Sequence, residues 1–449
     1  MRIVVLGGGV AGLSAATEAL ALDPQVEVRV LEARTRSGGL VHTQHRGGFV
    51  LEHGPDSLAS GKPEGMDLLR RLGLESRIVT GAGTPRVAYV AQGTRLVPLP
   101  PGLMAFRRGA ALDIMRSPLL SLRGKLRVLK EPLCGGRAAA QHDESLAAFV
   151  TRRFGRELLE RIVEPLVGSV YGTDPARMSA HAALPSLVQL EEAHGSIGMA
   201  LLRGAPRRPA HLPYLVSLAD GMGTLPRVLS ARLAGRIHVG QRARRVERTR
   251  HGFRVHTQTG DALEADRLIM AVPAYAAAEL TAPLDADLAG ELSAIEYNSI
   301  ASLHFAFRSE RVHHAMQGTG FVVPARENRA LSACSWVSRK WPRRAPERLT
   351  LLRCFLRSHA GDDQALIDAA LHDLRDYMGV MGKPELSHVL RIERALPRYT
   401  LEHRSRVERI ERRLAGIHGL TVCGSMLRGM GVPECVASGR RAALEMLQD

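Results

Sequence analysis

Residues 1–23 read MRIVVLGGGVAGLSAATEALALD, and two incompatible structures can be written for them. A basic residue before an apolar run rich in Ala and Leu is the pattern of a secretory signal, which should close on a small-residue cleavage site. Three consecutive glycines and then Glu18 break the run instead. The other template fits part by part. Arg2–Leu6 is a short β-branched run suited to a buried parallel strand. Gly7, Gly9 and Gly12 supply G-x-G-x-x-G, Val10–Leu22 has helical spacing, and Val26–Leu31 is a second strand. The stretch is expected to be a nucleotide cradle.

Each glycine has a physical task in that geometry. Gly7 permits the tight turn, Gly9 lets backbone approach a pyrophosphate, and Gly12 lets the helix pack close to the strand. The diphosphate is expected at the helix N-terminus, where free N–H groups and the positive dipole end face it, with Gly8, Val10 and Ala11 among the cofactor-binding residues. Glu32 ends the second strand, 20 residues after Gly12, where its carboxylate can accept from a ribose hydroxyl. The competing reading, a glycine-rich loop by chance, leaves that register of strands and acid unexplained.

The totals bound the rest. At 449 residues the chain is long enough for more than one core. Hydrophobic residues make up 45% and charged residues 24%, an ordinary globular balance, while aromatics are only 4%. The formal charge is +16, which bears on partners and not on fold. The arginines are scattered, with no zinc-finger spacing, aromatic stacking motif or recognition helix, so no nucleic-acid partner is expected. Five cysteines, odd in number and far apart, read as free thiols of a reducing compartment, and no metal site is expected. No run of about 18 apolar residues could span a bilayer.

Two further segments extend the cradle. After Glu32 and Ala33 come Arg36, the pair Gly38-Gly39 and Leu40. Near the end, Leu420–Cys423 reads as a strand and Gly424-Ser425 as a turn; Gly429-Met430-Gly431-Val432 is a glycine loop, and Pro433–Leu447 a helix. A terminal docking helix with a glycine-rich turn is the plain alternative for the last part. The E-x-x-x-R-x-G-G spacing resembles FAD-dependent amine-oxidase-like flavoproteins. That resemblance implies FAD as cofactor, Arg36 near its phosphates and the C-terminal loop against the flavin ring. It also places Val246 at the cofactor and makes Asp266–Ala274 the strand-to-proline return to the nucleotide domain.

The resemblance narrows inside the chain. Phe49–Ser57 (FVLEHGPDS), with Gly54, Pro55, Asp56 and Ser57, is similar to the E-x-G-P-x-S segment of the oxygen-dependent porphyrinogen oxidases, where it lies against the flavin. Asp143–Phe149, Val163–Tyr171, Ala183–Leu190, Asp220–Met222, Pro397–His403 and Gly429–Cys435 follow in that family's order. The resemblance implies oxidation of protoporphyrinogen IX in three two-electron steps, with oxygen as acceptor and peroxide released. Coproporphyrinogen III is the nearest alternative substrate, and an amine oxidase or carotenoid desaturase the more distant one. Arg86 would face a substrate propionate, and Ser169 stands where the family usually has glycine beside the substrate. Arg86 as one solvated arginine among many is the plain alternative. No residue is assigned as a catalytic acid or base.

The expected fold is α/β: a Rossmann-type FAD-binding domain, a mixed-sheet substrate domain and a helical membrane-associating subdomain. The first draws on 1–80, 210–285 and 395–449, the second on 81–98 and 286–394, the third on 99–209. The sheet should use a hairpin over Arg86–Val97 and strands within Ser299–Phe307, Gly320–Pro324, Ala330–Trp336 and Leu349–Phe355. Leu103–Leu129 is basic and apolar together, which suits either anionic lipid or a solvated basic helix face. A cytoplasmic protein is expected, with contact to the inner face of the cell membrane and a homodimer both left open.

Overall fold

The computed structural model describes residues 1–81, 87–100, 110–134, 143–203 and 215–448, apart from the side chains of 110, 111, 169–171, 201 and 202. Arg86 and residues 101–109 lie outside that set. Internal contacts divide the chain into two units. One comprises Met1–Thr80, Leu212–Glu296 and His403–Asp449, the other Gly81–His211 and Tyr297–Glu402.

The first unit is built on a parallel sheet whose described strands run in the order Ile237–Val239, Glu27–Glu32, Arg2–Leu6, Arg267–Met270, Leu420–Val422. The opening strand is central, with Val4 beside Leu268 on one side and Arg29 on the other. Both of its faces are covered from Ile3 onward, so Ile3–Leu6 is apolar throughout rather than alternating, while Arg2 at its start is exposed. The opening helix Val10–Leu22 and the closing helix Val432–Gln448 lie against each other, with Ala15, Ala19, Val436, Ala442 and Ala443 buried together. The approach is close because small residues face it. A β-carbon on Gly439 would lie 2.1 Å from the Ala11 carbonyl oxygen. A three-stranded antiparallel sheet, Ala243–Thr249, Gly252–Thr257 and Ala262–Ala265, holds Val246 fully buried.

The second unit carries a seven-stranded mixed sheet among the described residues. Its order is Leu386–Pro397, Tyr297–Arg308, Leu349–Leu356, Leu331–Ser335, Gly320–Val322, Ala88–Gln92, Arg95–Pro98. The one parallel pairing is Gly320–Val322 with Ala88–Val90. Helix Asp363–Met378 covers one face through Leu366, Ala370, Leu374 and Tyr377, packed on Leu303, Phe305, Phe307, Leu352 and Cys354. The other face carries Val90, Val322 and Ala333 into a second core with Leu146, Phe149, Ile162 and Leu187 from the helical stretch.

The helical stretch and the sheet thus share one unit, where three separate bodies were expected. Two boundaries also move. Helix Ala286–Ser293 buries Leu288 and Leu292 and is tied to Arg409 by Glu291 (2.6 Å), so it belongs with the nucleotide unit. Strand Leu386–Pro397, unmarked in the sequence reading, pairs with Tyr297–Arg308 as far as Pro397 opposite Tyr297. It is an edge strand, and its charged, half-exposed pattern hides it from an apolar-run criterion.

Of the basic apolar stretch, helices Ala110–Arg116 and Leu122–Leu129 are described. Leu122, Leu126 and Leu129 are exposed at i, i+4, i+7, beside exposed Arg123 and Lys130. No described helix is long and apolar enough to cross a membrane.

Gly439→Ala is expected to destabilise the protein by about 1–3 kcal/mol, since the added methyl overpacks a backbone contact. Denaturant unfolding of the two proteins side by side measures this.

Candidate functional site

The nucleotide unit brings most of the expected cofactor residues into one place. Gly7 turns with φ +103°, and the Gly7 amide donates to the Leu31 carbonyl (2.8 Å), closing the loop onto the second strand. A β-carbon on Gly7 would meet the Ala271 oxygen at 2.5 Å, and one on Gly12 the Gly7 oxygen at 2.0 Å. Gly12 therefore holds the first helical turn against the glycine loop itself. The first hydrogen bond of the opening helix runs from Leu13 N to Gly9 O (2.9 Å). The amides of Val10, Ala11 and Gly12 consequently have no partner within the helix and point out of its positive end.

Glu32 is buried, at 7% exposure. Its two carboxylate oxygens accept from Gly8 N (2.8 Å) and Arg34 N (2.7 Å). The second strand and the glycine loop are clamped by one side chain. A carboxylate offers about four lone-pair positions, so acceptor capacity remains for a ribose hydroxyl. Ala33 follows at the strand's end.

The second glycine pair meets the first. Gly9 and Gly38 form a parallel bridge, and Gly38 N donates to Gly8 O at 2.7 Å. A β-carbon on Gly39 (φ +59°) would lie 3.1 Å from Gly9 Cα, whereas one on Gly9 meets nothing nearer than 4.0 Å. The space beside Gly9 is open, as close approach of a phosphate to the backbone requires. Arg36 is half-buried beside it, donates to the Ser37 carbonyl (3.3 Å), and has its pKa lowered by burial and then by Arg34.

The E-x-G-P-x-S segment docks on that pair. A β-carbon on Gly54 would stand 2.0 Å from the Leu40 oxygen, so Gly54 fits directly under Leu40. Ser217 Oγ donates to the Asp56 carbonyl (2.7 Å) and Ser57 Oγ to the Asp56 carboxylate (2.8 Å), fixing the loop around Pro55. At the other terminus, Gly424 N donates to Ser438 Oγ (2.9 Å), and a Gly424 β-carbon would sit 3.8 Å from Ala11 Cβ. Gly424-Ser425 and the opening helix are thereby neighbours. Met430, Gly431 and Val432 lead into the closing helix, whose first bond is Cys435 N to Gly431 O (3.0 Å), one residue earlier than proline placement suggests.

Several residues to which the sequence assigns no role hold these segments. Glu52 accepts from Thr43 Oγ1 (2.7 Å) and Met222 N (2.8 Å), and Gly223 N donates to Thr43 Oγ1 (2.8 Å). That explains the Asp220-Gly221-Met222 turn, with Gly221 at φ +92°. His403 Nε2 donates to the Leu427 carbonyl (2.8 Å), anchoring the C-terminal loop. The signal for these lay in spacing between distant segments, which periodicity does not reveal. Val246 lies in its own antiparallel sheet, and just before its strand Gly240 N donates to the Arg34 carbonyl (2.8 Å) and Gln241 N to the Glu32 carbonyl (2.9 Å).

In the second unit, Ser169 sits in helix Glu164–Tyr171, capped by Gly172 at φ +58° with Asn298 Nδ2 donating to its carbonyl (2.6 Å). Glu164, in the first turn, has its pKa raised by burial. A polar row also crosses four adjacent strands of the sheet. His388 stands opposite His304, His304 opposite Arg353, and Arg353 opposite Ser335. His304 and Arg353 are buried, and the Arg353 guanidinium lies over Phe355 at 4.7 Å. Arg86 lies outside the described residues.

A model described as "Flavin containing amine oxidoreductase" matches residues 10–447. The chain is similar to "Coproporphyrinogen III oxidase" of Bacillus subtilis (strain 168), 29% identical over 99% of this chain and 98% of that protein. It is also similar to "Protoporphyrinogen oxidase, chloroplastic" of Oryza sativa subsp. japonica, 27% identical over 99% of this chain and 87% of the other. Among solved structures, "Putative protoporphyrinogen oxidase from Exiguobacterium sp. 255-15" matches with TM-score 0.87 and 30% identity over 100% of this chain and 99% of that one. A putrescine oxidase shares the fold with TM-score 0.69 at 13% identity, each chain covered in full. Replacing Glu32 by Ala should weaken FAD binding at least tenfold, about 1.4 kcal/mol, with the protein still folded. Flavin absorbance after dialysis, set against circular dichroism, reads both outcomes. On the match from residue 10 to 447, this FAD oxidoreductase belongs to the flavin containing amine oxidoreductase family.

Proposed function

We propose that the protein oxidises a porphyrinogen to the corresponding porphyrin, with coproporphyrinogen III as its substrate. The carrying observation is similarity along the whole length to bacterial coproporphyrinogen III oxidases, at 29% identity with that of Bacillus subtilis and 27% with that of Staphylococcus aureus. The charge of +16 supports the choice, because coproporphyrinogen brings four propionates where protoporphyrinogen brings two. Protoporphyrinogen IX is the second reading, supported by the plant relative and by the Exiguobacterium structure.

Bound FAD would supply the two-electron acceptor for hydride removal from a bridging carbon, in three rounds, with oxygen restoring it and hydrogen peroxide released. The chain's own residues position and shield. The amides of Val10, Ala11 and Gly12 hold the diphosphate, Glu32 the ribose, and the Gly429–Val432 loop the ring edge. Val246 sits by the adenine end, and Arg36 screens the phosphates. Arg86 takes a propionate as a planar, bidentate cation, and Ser169 lies along the substrate. The exposed Leu122, Leu126 and Leu129 with Arg123 and Lys130 suit contact with anionic lipid, where a poorly soluble substrate would be met.

Purified protein should be yellow and, given coproporphyrinogen III, should consume oxygen while porphyrin fluorescence appears. Faster turnover of protoporphyrinogen IX would transfer the assignment to the second reading. Inertness toward both, with FAD bound, would refute it. Arg86→Ala should raise KM about tenfold and leave flavin content unchanged, the worth of roughly 1.4 kcal/mol. Loss of flavin in that variant would remove Arg86 from the substrate side.

A further inference from the structure

The closing helix carries a carboxylate in its own first turn, at the end that faces the glycine loop. With Gly431 as N-cap, Glu434 is the third helical residue. The loop is folded tightly over it. A β-carbon on Gly429 would lie 2.4 Å from Glu434 Cγ, and one on Gly431 2.4 Å from Glu434 Oε2. The side chain is 19% exposed, and its other oxygen pairs with Lys62 Nζ. The Lys62 side chain is 52% exposed, and its backbone position is set by helix Pro63–Arg71, which it precedes. A β-carbon on Gly65, in that helix's first turn, would stand 2.9 Å from Pro433 Cγ. Two helix N-termini therefore abut, bridged by one cation and one anion.

We propose that the Lys62–Glu434 pair sets the electrostatic environment of the flavin ring, with Lys62 cancelling a carboxylate that would otherwise oppose reduction. The proposal rests on the reading above that places the ring against the Gly429–Val432 loop. A helix N-terminus carries about half a positive charge and favours negative charge developing near it. Uptake of two electrons and one proton leaves the bound ring with one extra negative charge. An unpaired Glu434 at the same helix end would repel that charge in a poorly solvated setting, where Coulomb terms are screened much less than in water. Lys62 restores the helix's intended sign. Burial lowers the Lys62 pKa and Glu64 opposes that only in part, while Glu434 is the carboxylate in contact with the ammonium.

The test is the two-electron midpoint potential of FAD in the purified holoprotein, measured by spectroelectrochemistry alongside flavin content. Lys62→Met should lower it by at least about 30 mV, a tenfold loss in preference for the reduced over the oxidised cofactor. Glu434→Gln should raise it by a similar amount, the double variant should return close to wild type, and Lys62→Arg should stay there. Unchanged potentials in both single variants overturn the proposal. So does a drop in Lys62→Arg as large as in Lys62→Met, which would make the effect steric. A Lys62→Met variant with an altered KM and an unaltered potential assigns the lysine to substrate and also overturns it. If Lys62→Met fails to fold, Glu434→Gln decides alone. Wild-type protein that takes up no FAD would instead sink the underlying cofactor reading, a separate result.

Discussion

The nucleotide unit depends on backbone meeting backbone around the first turn of one helix. Gly12 sits on the Gly7 carbonyl, and Gly439 on that of Ala11, each with less room than a single methyl needs. Side chains are excluded from both contacts. The helix is thereby fixed against its own loop on one side and against the closing helix on the other. Rigidity is what makes its free amides useful, because a preorganised anion site does not lose affinity to rearrangement on binding. Glu32 adds the third constraint, joining the end of a neighbouring strand to the same loop.

The second unit solves a different problem, the burial of charge. Arg153 is fully buried beside Glu131 at 3.0 Å, and Arg152 pairs with Glu144 and Glu191, each at 2.8 Å. Glu131 also accepts from Ser196 Oγ, Ile197 N and Gly198 N, so its oxygens are saturated. Such sets tie helices together geometrically more than they add net stability, since desolvation offsets much of the attraction. The His388–His304–Arg353–Ser335 row sets polar groups opposite one another across four strands, with buried Ser302 on the same face.

The first thirty-two residues were legible because strand, turn, helix and acid are local, and each residue type answers a local steric or electrostatic demand. Four strands of the parallel sheet followed from them together with Arg267–Met270 and Leu420–Val422, whereas the edge strand Ile237–Val239, short and half-exposed, did not. Strand Leu386–Pro397 escaped because an edge strand needs no apolar run. Glu52 and His403 were legible as members of motif segments, but their roles were not, because partners such as Met222 for Glu52 are remote in sequence. Lys62 and Glu434, 372 positions apart, could not be paired by any spacing rule. Fold topology was written in periodicity, whereas the supports of the site were written in distances.

The central strand Arg2–Leu6 finds its two neighbours at Glu27–Glu32 and Arg267–Met270, and the sheet's last member is Leu420–Val422. During synthesis, at about 5–20 residues per second, the first strand leaves the ribosome well before its second partner exists. Gly439 emerges later still. The nascent nucleotide unit must wait with an open apolar edge, and loop-closure entropy makes its completion slow. Assembly of the cradle therefore waits on the helix that carries Gly439, so the cofactor has nothing finished to bind until that segment has been made.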